Sequence, residues 1–179
     1  MIEVKVNRGN YEYDIHSLIK AFYPREEVSV REKAAFAEAA ALQMDVEIQD
    51  AEIRFRVFEN QALQKKGHVF VENPERKLVK NQLKQLIYQV LSDYTGETLP
   101  WGTLTGIRPT KIPMAMLEEG KSNVEIAEYM RNTYFCSREK PALAVSIANR
   151  EREILKQIDY EQGYSLYVGI PFCPSICLY

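Results

Sequence analysis

The chain predicts an α+β fold, with a mostly antiparallel sheet and covering helices first and a helical segment after it. Three observations predict this. Short runs that alternate apolar and polar residues recur through the first 72 residues, a period of two that suits a half-buried strand. One long apolar stripe at helical spacing then runs from Val79 to Tyr94. From about residue 109 onward the periodicity is helical.

The elements follow in order. Ile2 to Val6 alternates and reads as a strand. Tyr11, Ile15, Leu18, Ile19 and Phe22 share one helical face, and Pro24 stops that helix. Val28 and Val30 mark a short strand. The stretch REKAAFAEAAAL is ambiguous, because its alanines favour helix between extended neighbours. Met44, Val46 and Ile48 alternate, as do Ile53, Phe55 and Val57, across a tight polar connection around Gln49 to Ala51, so the two runs predict a hairpin. Gly67 precedes a further short strand, HVFVE.

Pro74 opens a long helix with Val79, Leu83, Leu86, Ile87, Val90, Leu91 and Tyr94 on one stripe, and Gly96 ends it. Lys77, Lys80 and Lys84 lie off that stripe as a basic row, either a docking patch or, as the overall charge favours, a solvated face. Ser122 and Glu125 have the spacing of a capping box and open a helix with Ile126, Ala127, Tyr129 and Met130. Another helix begins near Ser137, tolerates Pro141 in its first turn, and runs past Leu143, Ile147, Ile154 and Ile158 to Gly163. The expected divisions are 1–98 for the α+β part, 99–160 for the helical segment and 161–179 for a terminal strand and loop.

Composition narrows the function. The 179 residues carry a formal net charge of −2, without the surplus of clustered cations that nucleic acid demands. A helix–connection–helix rhythm in SNVEIAEYMRNTYFCSREKPALA could suggest DNA reading, but its second helix turns alanine-rich after Arg138 and Lys140. No nucleic-acid partner is expected. No apolar run is long enough for a bilayer and the N-terminus does not read as a signal peptide, so a cytoplasmic location without a membrane partner is expected.

The two histidines, His16 and His68, have no cysteine or carboxylate at ligand spacing and read as ordinary surface or edge residues. Cys136 stands alone and reads as a small, partly buried residue. PWGTLTGIRPTK, from Pro100 to Lys111, holds the single tryptophan, two glycines and the pair Arg108 and Lys111. It reads either as a turn anchored by a buried Trp101, with Thr110 capping the next helix, or as a cationic loop for an anionic ligand or a neighbouring domain.

YSLYVGIP reads as a buried strand with Tyr164, Leu166, Val168 and Ile170 on one face, and Cys173 and Cys177 follow it at once. The loop after a strand is where α/β barrels place their chemistry. Two thiolates with three residues between them can face one small site. The spacing is less typical of structural zinc, and a disulfide over so short a loop is unexpected in a reducing compartment. Thiolates suit iron–sulfur clusters, although two are too few to hold a four-iron cluster.

YVGIPFCPSICLY resembles the opening of a radical S-adenosylmethionine (SAM) enzyme, whose signature is CxxxCxxC; Cys173 and Cys177 match its first two cysteines. The third would be the residue after Tyr179, so the chain is expected to be an N-terminal piece of a longer protein, inactive and cofactor-free by itself. The IPFC run and the aromatic expected before the third cysteine resemble the oxygen-independent coproporphyrinogen III oxidase group, which includes haem chaperones of similar sequence. PWGTLTGIRPTK and the long region before the cysteines resemble its HemZ-type branch. Gly169 stands where many relatives carry a histidine, four residues before the first cysteine.

The resemblance implies that residues 161–179 begin a truncated radical-SAM (partial TIM-type) barrel. It implies a [4Fe–4S] cluster ligated by Cys173 and Cys177, with SAM on the open iron and Tyr167 and Tyr179 beside the cofactor; core packing is the alternative for both tyrosines. The implied activity is that of an oxidoreductase of porphyrin and haem biosynthesis. A SAM-derived radical takes hydrogen from a propionate of coproporphyrinogen III, and decarboxylation leaves a vinyl group. The implied partners are the small-molecule porphyrinogen and an electron donor. Arg108 and Lys111 are then candidates for orienting its carboxylates. The alternatives are a haem chaperone-like relative and a non-catalytic docking or substrate-presenting module.

Overall fold

The structure is a computed structural model that describes residues 1–32, 40–159, 162–164 and 166–170. Its elements are β1 (Ile2–Val6), a 3-10 turn (Gly9–Tyr11), α1 (Glu12–Phe22), β2 (Val28–Glu32), β3 (Leu42–Ile48), β4 (Glu52–Glu59), β5 (Ala62–Phe70), α2 (Arg76–Thr95), α3 (Lys111–Glu118), α4 (Asn123–Tyr134) and α5 (Lys140–Leu155). The α+β class is as the sequence predicts. Among the described residues no helix is long and apolar enough to cross a membrane.

The five strands lie in the order β2-β1-β3-β4-β5. The expected hairpin is present, with Met44 opposite Val57, Val46 opposite Phe55 and Ile48 opposite Ile53, and all six side chains are buried. The sheet is less antiparallel than expected, because β1 runs parallel to both β2 and β3. The chain leaves β1 through α1 before returning as β2, and a helical crossover of that kind delivers parallel neighbours. Of the ambiguous stretch after β2, residues 33–39 lie outside the described residues.

The last strand starts earlier than its pattern suggests. Asn60 and Gln61 both take left-handed backbone, with φ of 49° and 67°, forming a tight turn from which β5 runs back along β4. Gly67 therefore lies inside β5. A β-carbon there would stand 2.7 Å from Val90 Cγ2 and 2.9 Å from Leu86 Cδ1, so its missing side chain makes room for α2.

Two hydrophobic clusters result. The larger unites the strands with α1 and α2 and includes the predicted stripe Val79, Leu83, Leu86, Ile87, Val90 and Leu91. The smaller is made by Leu117, Ile126, Met130, Cys136, Ala144, Val145 and Ala148 of the helical segment. The capping box forms as predicted: Ser122 Oγ accepts from the Glu125 amide at 3.3 Å, and Glu125 Oε2 accepts from the Ser122 amide at 2.8 Å. In α5 the buried face differs from expectation. Ala144, Val145 and Ala148 pack inward, whereas Leu143, Ile147 and Ile154 are exposed. Small side chains let α3 and α4 approach α5 closely, and the larger ones at helical spacing lie on the other side.

Side-chain contacts join the segment to the sheet part. Gln85 of α2 donates through Nε2 to the Thr133 carbonyl at 2.7 Å, while within the segment the Ser137 amide donates to the Pro100 carbonyl at 2.9 Å. Phe135 ends α4 in left-handed backbone and its ring lies 5.6 Å from that of Tyr88.

Candidate functional site

The 100–111 loop is the feature best fixed by its surroundings. Gly102 is buried with φ of 57°. A β-carbon there would overlap the Tyr134 carbonyl and the Phe135 backbone, and the neighbouring Thr103 amide donates to that carbonyl at 2.7 Å. Only glycine meets both requirements without strain. Trp101 is half-buried against the smaller core with Lys140 Nζ 5.5 Å from its ring centroid. Cys136 Sγ donates to the Trp101 carbonyl at 3.4 Å, and burial pushes this thiol up to about 11.

Trp101 anchors the turn half-buried rather than buried, and Thr110 does not cap as expected. It stands at the start of α3 with helical backbone and its side chain makes no capping bond. An extended backbone at that position is what normally aims the hydroxyl at the first turn. Arg108 Nη2 lies 3.5 Å from Glu151 Oε2, which links the loop to α5. Lys111 is exposed.

Beside this loop is a cleft of about 200 Å³ between α1, α2 and the end of α4. Lys77, Lys80 and Lys84 reach it from one face of α2, and Asp14 of α1 is the carboxylate on its wall. Asn81, Thr103, Leu104 and Tyr134 complete the lining. Lys84 Nζ donates to Thr105 Oγ1 at 3.1 Å, and Thr105 Oγ1 lies 3.0 Å from Ser17 Oγ. Asp14 Oδ1 is 3.7 Å from Lys80 Nζ. Burial holds Lys84 below its ordinary lysine value; the Asp14 charge opposes this and the Lys80 charge adds to it. Burial holds the Tyr134 hydroxyl well above its ordinary range, aided by Tyr129.

The basic row is therefore only partly the solvated face expected. Lys77 is exposed, but Lys80 and Lys84 are half-buried. Spacing along α2 placed the three lysines on one face. That α1 and the Thr103–Thr105 strap fold against this face was not readable from the spacing.

Of the predicted site residues, Cys173, Cys177 and Tyr179 lie outside the described residues. Tyr167 is described and 92% exposed, beside Gly169. The expected buried strand does not form over the described residues 162–164 and 166–170, where Tyr164, Leu166, Val168 and Ile170 are also exposed. Among the described residues no strand pairs with it, and an unpaired strand leaves its backbone groups to water. His16 of α1 and His68 of β5 belong to no metal-binding group of three or more His, Cys, Asp or Glu among the described residues. Two thiols at Cys173 and Cys177 have the donor chemistry of an iron–sulfur site.

No family model and no solved structure matches the chain. Over 104 residues, 58% of its length, the chain is 36% identical to the oxygen-independent coproporphyrinogen-III oxidase-like protein HemZ of Bacillus subtilis (strain 168). That stretch is 21% of the relative, so the chain spans about one fifth of the curated protein it matches. The chain is thereby related in sequence to the HemZ-type, coproporphyrinogen oxidase-like proteins.

Proposed function

We propose that the chain is the N-terminal part of a radical SAM oxidoreductase of haem biosynthesis, one that converts propionates of coproporphyrinogen III to vinyl groups in the cytoplasm. The match to HemZ, 36% identical over 104 residues, carries this reading. The run YVGIPFC and the spacing of Cys173 and Cys177 also support it.

In this reading residues 1–98 and 99–160 form a folded platform, and 161–179 lead into the catalytic domain. Cys173 and Cys177 supply two thiolates to a [4Fe–4S] cluster. The cluster with SAM supplies the radical that starts the oxidative decarboxylation. Tyr167, with its ring open to contact, and Tyr179 lie beside that cofactor. Arg108 has less scope to orient a substrate carboxylate than its sequence position suggests, since Glu151 already faces it.

A second reading, haem handling without vinyl formation, draws on Gly169 at the position where many relatives carry histidine. Anaerobic incubation of the reconstituted whole polypeptide with coproporphyrinogen III, SAM and a reductant tests the proposal. Vinyl-bearing product is the expected result. Stoichiometric haem binding with no product would replace it with the second reading.

A further inference from the structure

We infer that the cleft between α1, α2 and the Thr103–Thr105 strap is an anion-binding site, one that takes a single carboxylate or phosphate group. Three lysines line it from successive turns of α2, against one acidic residue, Asp14. Asp14 sits nearest Lys80. The Lys84 ammonium, half-buried, bonds to the neutral Thr105 hydroxyl. A lysine withdrawn from water is costly, the Asp14 charge offsets only part of that cost at Lys84, and an incoming anion relieves the rest. Burial already lowers the affinity of Lys84 for its proton, the condition that a bound anion would reverse.

The walls add neutral polar residues as well as charge. Asn81, Thr103 and Tyr134 line the same space, and Leu104 supplies an apolar side; the Tyr134 hydroxyl is hydrogen-bonded to Tyr129 and Asn81. Gly102 locks the strap to the end of α4, so this wall is held by packed backbone. At about 200 Å³ the cleft is smaller than the roughly 300–1,000 Å³ typical of pockets for whole organic ligands. One anionic group fits, and a porphyrin ring does not. None of its lining residues belongs to the Cys173–Cys177 loop, so the inference stands or falls independently of the cluster reading.

The test is an NMR titration of the iron-free chain with inorganic phosphate, with succinate, and with a porphyrin tetracarboxylate. Saturable shifts confined to the Thr103, Leu104 and Thr105 amides are expected for at least one of these probes. Lys80→Gln and Lys84→Met should each weaken binding at least tenfold, while Lys84→Arg retains it and verifies that the site tolerates substitution. Preference for phosphate would identify a free oxyanion as the occupant. Preference for the carboxylates, strongest for the tetracarboxylate, would identify an arm of a larger molecule. Non-saturating shifts spread over the exposed lysines, or binding unchanged in both charge-removing variants, would overturn the inference.

Discussion

The carbonyl of Tyr134 occupies the space that a β-carbon on Gly102 would need, and it accepts the Thr103 amide hydrogen at 2.7 Å. One contact thus fixes the Trp101 turn, the end of α4 and one wall of the cationic cleft. Gly102→Ala must move backbone as well as adopt left-handed φ. A loss of about 3 kcal/mol or more is expected, and a thermal midpoint lower by roughly 6–12 °C. Gly67→Ala meets only the methyl ends of Val90 and Leu86, which can shift, and should cost less, about 1 kcal/mol. Thermal melts of the two variants check the order. Equal losses would show that the Gly102 contact is not the anchor described.

Cys136 should be the slowest cysteine to alkylate. Its thiol is raised from 9.0 to about 11 by burial, which lowers the thiolate fraction near pH 8 about 100-fold. Peptide mapping after timed iodoacetamide treatment gives the rate at each cysteine. The same shift has a definite sign for stability. The folded state keeps the proton that the unfolded state loses, so the Cys136 contribution is complete below pH 9 and lost as pH rises through about 11. Cys136→Ser should flatten that part of the alkaline stability profile.

In α5 the exposed stripe and the buried small face make opposite predictions. Leu143→Ser and Ile147→Ser, at solvent-facing positions, should change the stability of the chain by less than about 0.5 kcal/mol. Ala144→Leu, at a position with no exposed surface, should cost about 1–3 kcal/mol through overpacking. Urea unfolding measures both. A large loss from the serine variants would mean that the large apolar residues are the packed face.

Much of the fold was legible because local pattern and burial agree. In the β3–β4 hairpin Met44, Val46, Ile48, Ile53, Phe55 and Val57 alternate with polar residues and all face the core. The α2 stripe and the Ser122–Glu125 box are local signals that tertiary packing did not override. Strand direction was less legible. Alternation is the same for parallel and antiparallel neighbours, and the clue was the helix between β1 and β2. β5 was read short because Gln64, Lys65 and Lys66 lie on an exposed edge strand, where charge is the usual protection against edge pairing. The α5 face was misread because Leu143, Ile147 and Ile154 outweigh Ala144 and Ala148 in any count of apolar residues. For the site, Cys173 and Cys177 could be read only as a spacing. The half-burial of Lys84 depends on Thr105, 21 positions away, folding against it, which no local pattern encodes.

The most direct measurement is iron and sulfide content of the whole polypeptide after anaerobic reconstitution, read with its visible absorption and with the spin signal of the reduced protein. The account predicts a brown protein with ~4 iron atoms per chain. The cluster should be lost in Cys173→Ser and in Cys177→Ser, and kept in Cys136→Ser. A colourless, metal-free protein, or a cluster indifferent to both Cys173 and Cys177, would contradict it.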